Sequence, residues 1–272
     1  MQLCNFLFLA AAVLAQQRFV TYYDGESSDA LSKSSYNIVN LYFWNHDSVL
    51  AVDESLVTSL HKSGKKVLVS AFGPDAKPAS DGSHPVETAT TLAKFVTDNH
   101  LDGVDITFAD QSSFGTGGEE FLITLTTELR KLLPAPQFLI SHAPEAIYFG
   151  TDSQEGGYLG VLKVVGGMID FFNVQFFGVA NQYEDCDSLL FKAKSGTSLF
   201  EINNKGVALT KLVIGKPTFS GTSGYMNPTT LQSCLDKAQS KGWNAGIMAW
   251  NFNDSDETWT KFDVASSLKA SQ

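Results

Sequence analysis

Eight short runs rich in β-branched and aromatic residues recur along the chain. They are Phe19 to Tyr23, Ile38 to Trp44, Val67 to Phe72, Gly103 to Phe108, Phe138 to His142, Phe171 to Phe177, Leu212 to Gly215 and Gly246 to Phe252. The runs are nearly continuous in apolar residues, as strands covered on both faces should be. Helical spacing separates them. Val86, Ala89, Ala93 and Val96 recur every three or four residues, and Phe121, Leu125, Leu129 and Leu132 do the same before Pro134 and Pro136. Asn227 is a good N-cap with Pro228 as first helical residue, Leu231, Cys234, Leu235 and Ala238 as apolar face and Gly242 just past the end. Eight strand–helix units without a Gly-rich dinucleotide loop predict an α/β fold, a closed TIM (β/α)8 barrel. The 272 residues suit one such barrel, and no linker, repeat or charge block marks a second domain.

Residues Phe6 to Ala15 contain no polar side chain and end in Val13-Leu14-Ala15. This reads as a secretory signal peptide over 1–15, too short to span a bilayer, leaving the barrel over 16–272 and a secreted, extracellular protein. Cys4 leaves with the signal. Cys186 and Cys234 remain, suited to one disulfide, with two independent buried thiols as the alternative. They follow strands six and seven, whose helices are neighbours in a barrel. Asn253-Asp254-Ser255 is a glycosylation sequon at Asn253, whereas Asn227-Pro228-Thr229 is not one. No metal motif or cofactor loop is readable, so no metal and no cofactor are expected. Glu184-Asp185-Cys186-Asp187 reads as a solvated acidic loop rather than a calcium site, and Ser112 to Gly118 lacks the Gly-Lys-Ser/Thr of a phosphate loop. A formal net charge of −10 argues against nucleic acid and anionic membrane as partners. A monomer is expected.

A barrel places function at the C-terminal ends of its strands. The fourth run continues as Asp102-Gly103-Val104-Asp105-Ile106-Thr107-Phe108-Ala109-Asp110. This resembles the Asp-Gly-x-Asp-x-Asp-x-Glu signature of glycoside hydrolase family 18, the chitinases and their relatives. Tyr22-Tyr23, Val69-Ser70-Ala71-Phe72-Gly73, Ser141 to Phe149, Asn173 to Phe177 and Gly246 to Trp250 resemble the family's other strands. The similarity is nearest to secreted fungal class III-type chitinases. In the active family the last signature residue is a Glu that protonates the glycosidic oxygen, and the substrate's own N-acetyl oxygen is the nucleophile.

The chain departs from that pattern at its centre. Asp105 survives, but Thr107 stands for the middle Asp, Ala109 for the acid Glu and Phe177 for the Tyr that binds the acetamido carbonyl. The resemblance therefore implies a catalytically inactive member that binds chitin or chitin oligosaccharides. Its ligand-binding positions would be Tyr22, Trp44, Phe72, Asp105, Gln175 and Trp250, each weighed against ordinary core packing. Asp110 is one residue out of phase on a strand, and Glu145 or Glu26 would have to reach the cleft to replace the acid. His142 reads as a hydrogen-bonded core residue. Alternatives are a non-carbohydrate role on the same fold, as glycanase inhibitor or storage protein, and residual chitinase or endo-N-acetylglucosaminidase activity with an unexpected acid.

Overall fold

The computed structural model describes residues 17–25, 28–45, 50–151 and 157–268. The expected signal peptide and Glu26 lie outside them. Eight parallel strands close into a barrel in chain order: β1 Arg18–Tyr23, β2 Ile38–Trp44, β3 Lys66–Gly73, β4 Gly103–Phe108, β5 Leu139–His142, β6 Phe171–Gln175, β7 Leu212–Pro217 and β8 Gly246–Trp250. β8 pairs with β1 from Arg18 opposite Gly246 to Thr21 opposite Ala249, which closes the ring. The eight-strand TIM barrel expected from the sequence is the fold observed.

Around the barrel lie α1 Asp29–Lys33, α2 Glu54–Lys62, α3 Pro85–Asp98, α4 Gly118–Leu132, α5 Gly157–Val165, α6 Cys186–Leu190, α7 Leu199–Asn204, α8 Pro228–Gln239 and α9 Glu257–Thr260. The α8 signals act as their chemistry requires. Asn227 accepts a hydrogen bond from the Thr229 N–H at 3.0 Å, Pro228 opens the helix, and Leu231, Cys234, Leu235 and Ala238 are buried. Two expected face residues are misplaced. Val86 is 48% exposed because it sits in the first turn of α3, ahead of the buried Ala89, Leu92, Ala93 and Val96. Leu132 is 46% exposed, and Leu133, just past the end of α4, is buried in its stead. Two strands also end earlier than their apolar runs: β6 stops at Gln175 rather than Phe177, and β8 at Trp250 rather than Phe252. The apolar runs continue into the loops there because Phe177 lines the barrel mouth, Phe176 packs on Tyr183, and Phe252 packs on Tyr23 and Tyr36.

Gly103 and Gly246 mark places where strands begin too close for a side chain. A Cβ on Gly103 (φ +150°) would stand 1.9 Å from the Leu139 carbonyl oxygen, and one on Gly246 (φ +128°) 1.9 Å from that of Arg18. Cys186 and Cys234 form a disulfide with Cα atoms 5.0 Å apart, tying the start of α6 to α8. Among the described residues no helix is long and apolar enough to cross a membrane.

Candidate functional site

Alternation along β4 turns Asp105 and Thr107 toward the barrel axis, and Ala109 follows at the strand's mouth end. Asp105 is fully buried and surrounded by donors. Its Oδ2 accepts from the Tyr22 hydroxyl at 2.7 Å, Ser70 Oγ at 3.0 Å and Thr107 Oγ1 at 3.4 Å. Its Oδ1 accepts from Ser141 Oγ at 2.6 Å and Asn173 Nδ2 at 2.9 Å. Burial pushes the Asp105 carboxyl above the usual range, against the pull of these hydrogen bonds. Burial and then the Asp105 charge push the Tyr22 phenol far above its ordinary value. Thr107 Oγ1 also lies 3.0 Å from Ser70 Oγ. This cluster is closed on itself, and Asp105 makes its contacts to protein groups beneath the mouth.

Above it opens a cavity of about 210 Å³ at the C-terminal ends of the strands. Tyr22, Phe43, Phe177, Met248 and Trp250 give it apolar and aromatic walls, and Thr107, Ala109, Glu145 and Gln175 lie among them, with Pro74 and Phe108 completing the lining. The Trp250 ring meets Tyr22 edge-on at 4.9 Å and stacks on Phe43 at 5.8 Å with 24° between planes. Tyr42 extends this aromatic surface, 5.1 Å from Trp250. Gln175 Nε2 donates to the Ala143 carbonyl at 2.7 Å. The loop after β7 backs Phe177 so closely that a Cβ on Gly224 would stand 2.6 Å from the Phe177 Cα.

Among the described residues Glu145 is the only ionisable carboxyl side chain in that lining. It is half-buried, pairs with Gln175 across a parallel bridge, and accepts from the Tyr148 hydroxyl at 3.2 Å. Burial raises its pKa above the usual carboxylate value, and the Tyr148 hydrogen bond opposes the rise. Asp110, the other candidate acid of the strand-four and strand-five ends, points elsewhere. It is fully buried, and its carboxylate accepts from Ser80 N and Ser80 Oγ at 2.8 Å each and from Ser112 Oγ at 3.3 Å. It latches the loop after β3 to the end of β4.

The structure therefore brings Tyr22, Gln175 and Trp250 to the cavity, with Asp105 beneath. It places Trp44 and Phe72 elsewhere, contrary to their expected cleft-lining positions. The pairing of β2 with β3 shifts register between Leu41 and Trp44, and such a bulge re-aims the side chains beyond it. Phe43 faces the cavity, and Trp44 is buried outside its lining. Phe72 takes φ +78° and packs against Phe121 of α4, ring centres 6.1 Å apart. The sequence reading missed Phe43 and Met248. The run Leu41-Tyr42-Phe43-Trp44 offered three aromatic candidates and no means of choosing among them, whereas Met248 shares the phase of Trp250 and was recoverable by alternation.

Two bland readings hold. His142 is fully buried against α4 and α5, with Thr126 Oγ1 3.2 Å from Nε2 and the Tyr158 hydroxyl 3.4 Å from Nδ1. In the acidic loop, Asp185 Oδ1 caps α6 by accepting from the Asp187 and Ser188 N–H groups at 2.8 and 2.9 Å. Asn253 is exposed in the turn after β8.

The family model described as glycosyl hydrolases family 18 matches residues 18–270. No curated protein matches the chain significantly. Among solved structures, a GH18 chitinase from Pseudoalteromonas aurantia is 30% identical, with a TM-score of 0.79 over 93% of this chain and 100% of that one. A chitinase from Aspergillus fumigatus is 19% identical, with a TM-score of 0.70 over 89% and 93%. A plant class V chitinase mutant from Cycas revoluta, solved in complex with (GlcNAc)3, is 13% identical with a TM-score of 0.69 over 91% and 98%. The last two are likenesses of fold alone.

Proposed function

Because the chain belongs to glycosyl hydrolases family 18, we propose that it is a secreted, monomeric chitinase-like protein that holds chitin-type N-acetylglucosamine oligosaccharides without cleaving them. One observation carries this reading. The cavity has aromatic walls, and Ala109, which aligns with the acid of the family signature and has no proton to give, lies in its lining. A positioned general acid contributes about 10²–10⁴ in rate. The sealed contacts of Asp105 and the latch role of Asp110 leave neither carboxylate facing a ligand. Sugar rings stack on aromatic faces such as Trp250, and the protein's negative charge keeps nucleic acid and anionic membrane from competing.

A second reading rests on Glu145, a half-buried carboxyl in the same wall whose raised pKa suits a proton donor. Calorimetric titration of the purified protein with N-acetylglucosamine tetramers and hexamers, with product analysis of the same samples, separates the two. Binding with the oligomers recovered intact is the expected result. An absence of binding at millimolar oligomer defeats the proposal. Turnover that disappears in Glu145→Gln replaces it with residual hydrolysis.

A further inference from the structure

We propose that the cavity prefers a protonated amino sugar to its N-acetylated counterpart, so that the favoured ligand is a deacetylated, glucosamine-containing chitin oligosaccharide. The proposal rests on the reading above, that the cavity takes a sugar ring, and names which ring.

The first ground is what the walls offer. An ammonium group needs acceptors and a negative or π-rich surround. Glu145, in the cavity lining, supplies a carboxylate whose one hydrogen-bond partner among the described residues is the Tyr148 hydroxyl on Oε1, so Oε2 is without one. Gln175 stands beside it across the bridge, and with its Nε2 turned to the Ala143 carbonyl its Oε1 is a second acceptor. The faces of Phe43, Phe177 and Trp250 attract a cation through their ring quadrupoles. A carboxylate set among aromatic rings is a cation-binding arrangement.

The second ground is what the walls withhold. A buried acetamido group needs a donor for its carbonyl, and leaving that oxygen unpaired is costly. The Tyr22 hydroxyl is committed to Asp105, and Gln175 Nε2 spends one of its two hydrogens on the Ala143 carbonyl. Thr107 Oγ1 is shared between Ser70 and Asp105. Phe177 has no hydroxyl to donate. The apolar wall that an acetyl methyl would accept is present, but among the lining side chains its carbonyl meets only amide and indole N–H groups, from Gln175 and Trp250, and no hydroxyl at position 177.

The third ground is the surrounding charge. The segments following β1, β3, β6 and β8 carry Asp24, Asp75, Glu184 and Asp254 among their described residues, together with the exposed Lys77, Lys192, Lys194 and Lys261. Asp24 and Asp254 both lie close enough to act electrostatically on Tyr42, which adjoins Trp250. This field draws cations toward the mouth.

The test is a set of parallel titrations at about pH 6 with the glucosamine tetramer, the N-acetylglucosamine tetramer and cellotetraose, which lacks both groups. The glucosamine tetramer should bind about ten-fold more tightly than the acetylated one, and added salt should narrow the gap. Glu145→Gln should remove the preference, bringing the two affinities to within about three-fold of each other. Phe177→Tyr, which adds a donor, should narrow it from the other side. Equal or tighter binding of the acetylated tetramer overturns this inference and leaves the proposed function standing, as does a preference that survives Glu145→Gln. Failure of all three tetramers to bind defeats both.

Discussion

A one-residue difference of phase separates what Asp105 and Asp110 do. Position 105 points to the barrel axis, where a carboxylate collects five hydrogen-bond contacts, and position 110 points to the loop after β3, where it holds Ser80. The inward phase of Asp105 is legible from strand alternation, whereas Asp110 lies past the end of β4, where the chain already turns. The partners of Asp105 are not legible, because Ser70, Ser141 and Asn173 come from three other strands whose register no local pattern records. His142 gives a measurable consequence at this scale. Burial lowers its pKa to about 3, so below the unfolded value of about 6.5 the unfolded chain takes a proton that the folded chain refuses. Stability should therefore fall as pH drops from 6.5 toward 3, by up to about 1.4 kcal/mol per unit from this residue. Asp105 acts in the opposite sense: with its pKa raised, its contribution is full at low pH and is lost as pH rises through the folded value. Urea unfolding at pH 6.5 and pH 4.5 checks the histidine term. The loss of midpoint between the two pH values should be smaller in His142→Gln than in the parent, and an equal loss would exclude the residue as a source of acid sensitivity.

Elements were easier to place than their ends. All eight strands were recoverable, since buried parallel strands leave continuous apolar runs. The ends of β6 and β8 were not, because Phe176, Phe177 and Phe252 remain apolar after pairing stops. The bulge in β2 was invisible for a related reason. Tyr42, Phe43 and Trp44 are all large aromatics, so a change of phase leaves no trace in the hydrophobic pattern. The cysteine pair, by contrast, became specific once the strand order was known. The disulfide spans 48 residues between α6 and α8, and closing a loop of that length stabilises by about 4 kcal/mol in the chain-entropy account. Cys186→Ser with Cys234→Ser should lower the Tm markedly while oligosaccharide affinity, measured well below the transition, stays unchanged. A variant with unaltered Tm would show that the helices hold their positions without the covalent tie.

For the molecule as a whole, the barrel delivers side chains from β1, β2, β4, β6 and β8, and from the loops after β3, β4, β5 and β6, to one mouth, and an alanine at position 109 leaves that delivery intact. Thr107→Asp, Ala109→Glu and Phe177→Tyr introduced together should therefore produce chitin-oligomer hydrolysis, detectable as new reducing ends. Continued inactivity of a folded triple variant would mean that the cavity no longer seats a sugar in a reactive pose. The closed hydrogen-bond set around Asp105 bears on how such a chain arrives at its present state and whether it leaves it. Thr107→Asp alone would set a second carboxylate where a hydroxyl now lies 3.4 Å from the first, with Ser70 already engaged. Ala109→Glu alone would restore a proton donor without the group that steadies the acetamide. Each single reversion should lower Tm or leave activity undetectable, so selection meets no rewarded intermediate on the way back. Under the proposed reading, loss of catalysis in this barrel behaves as a ratchet, set by the way its neighbours are arranged around one buried carboxylate.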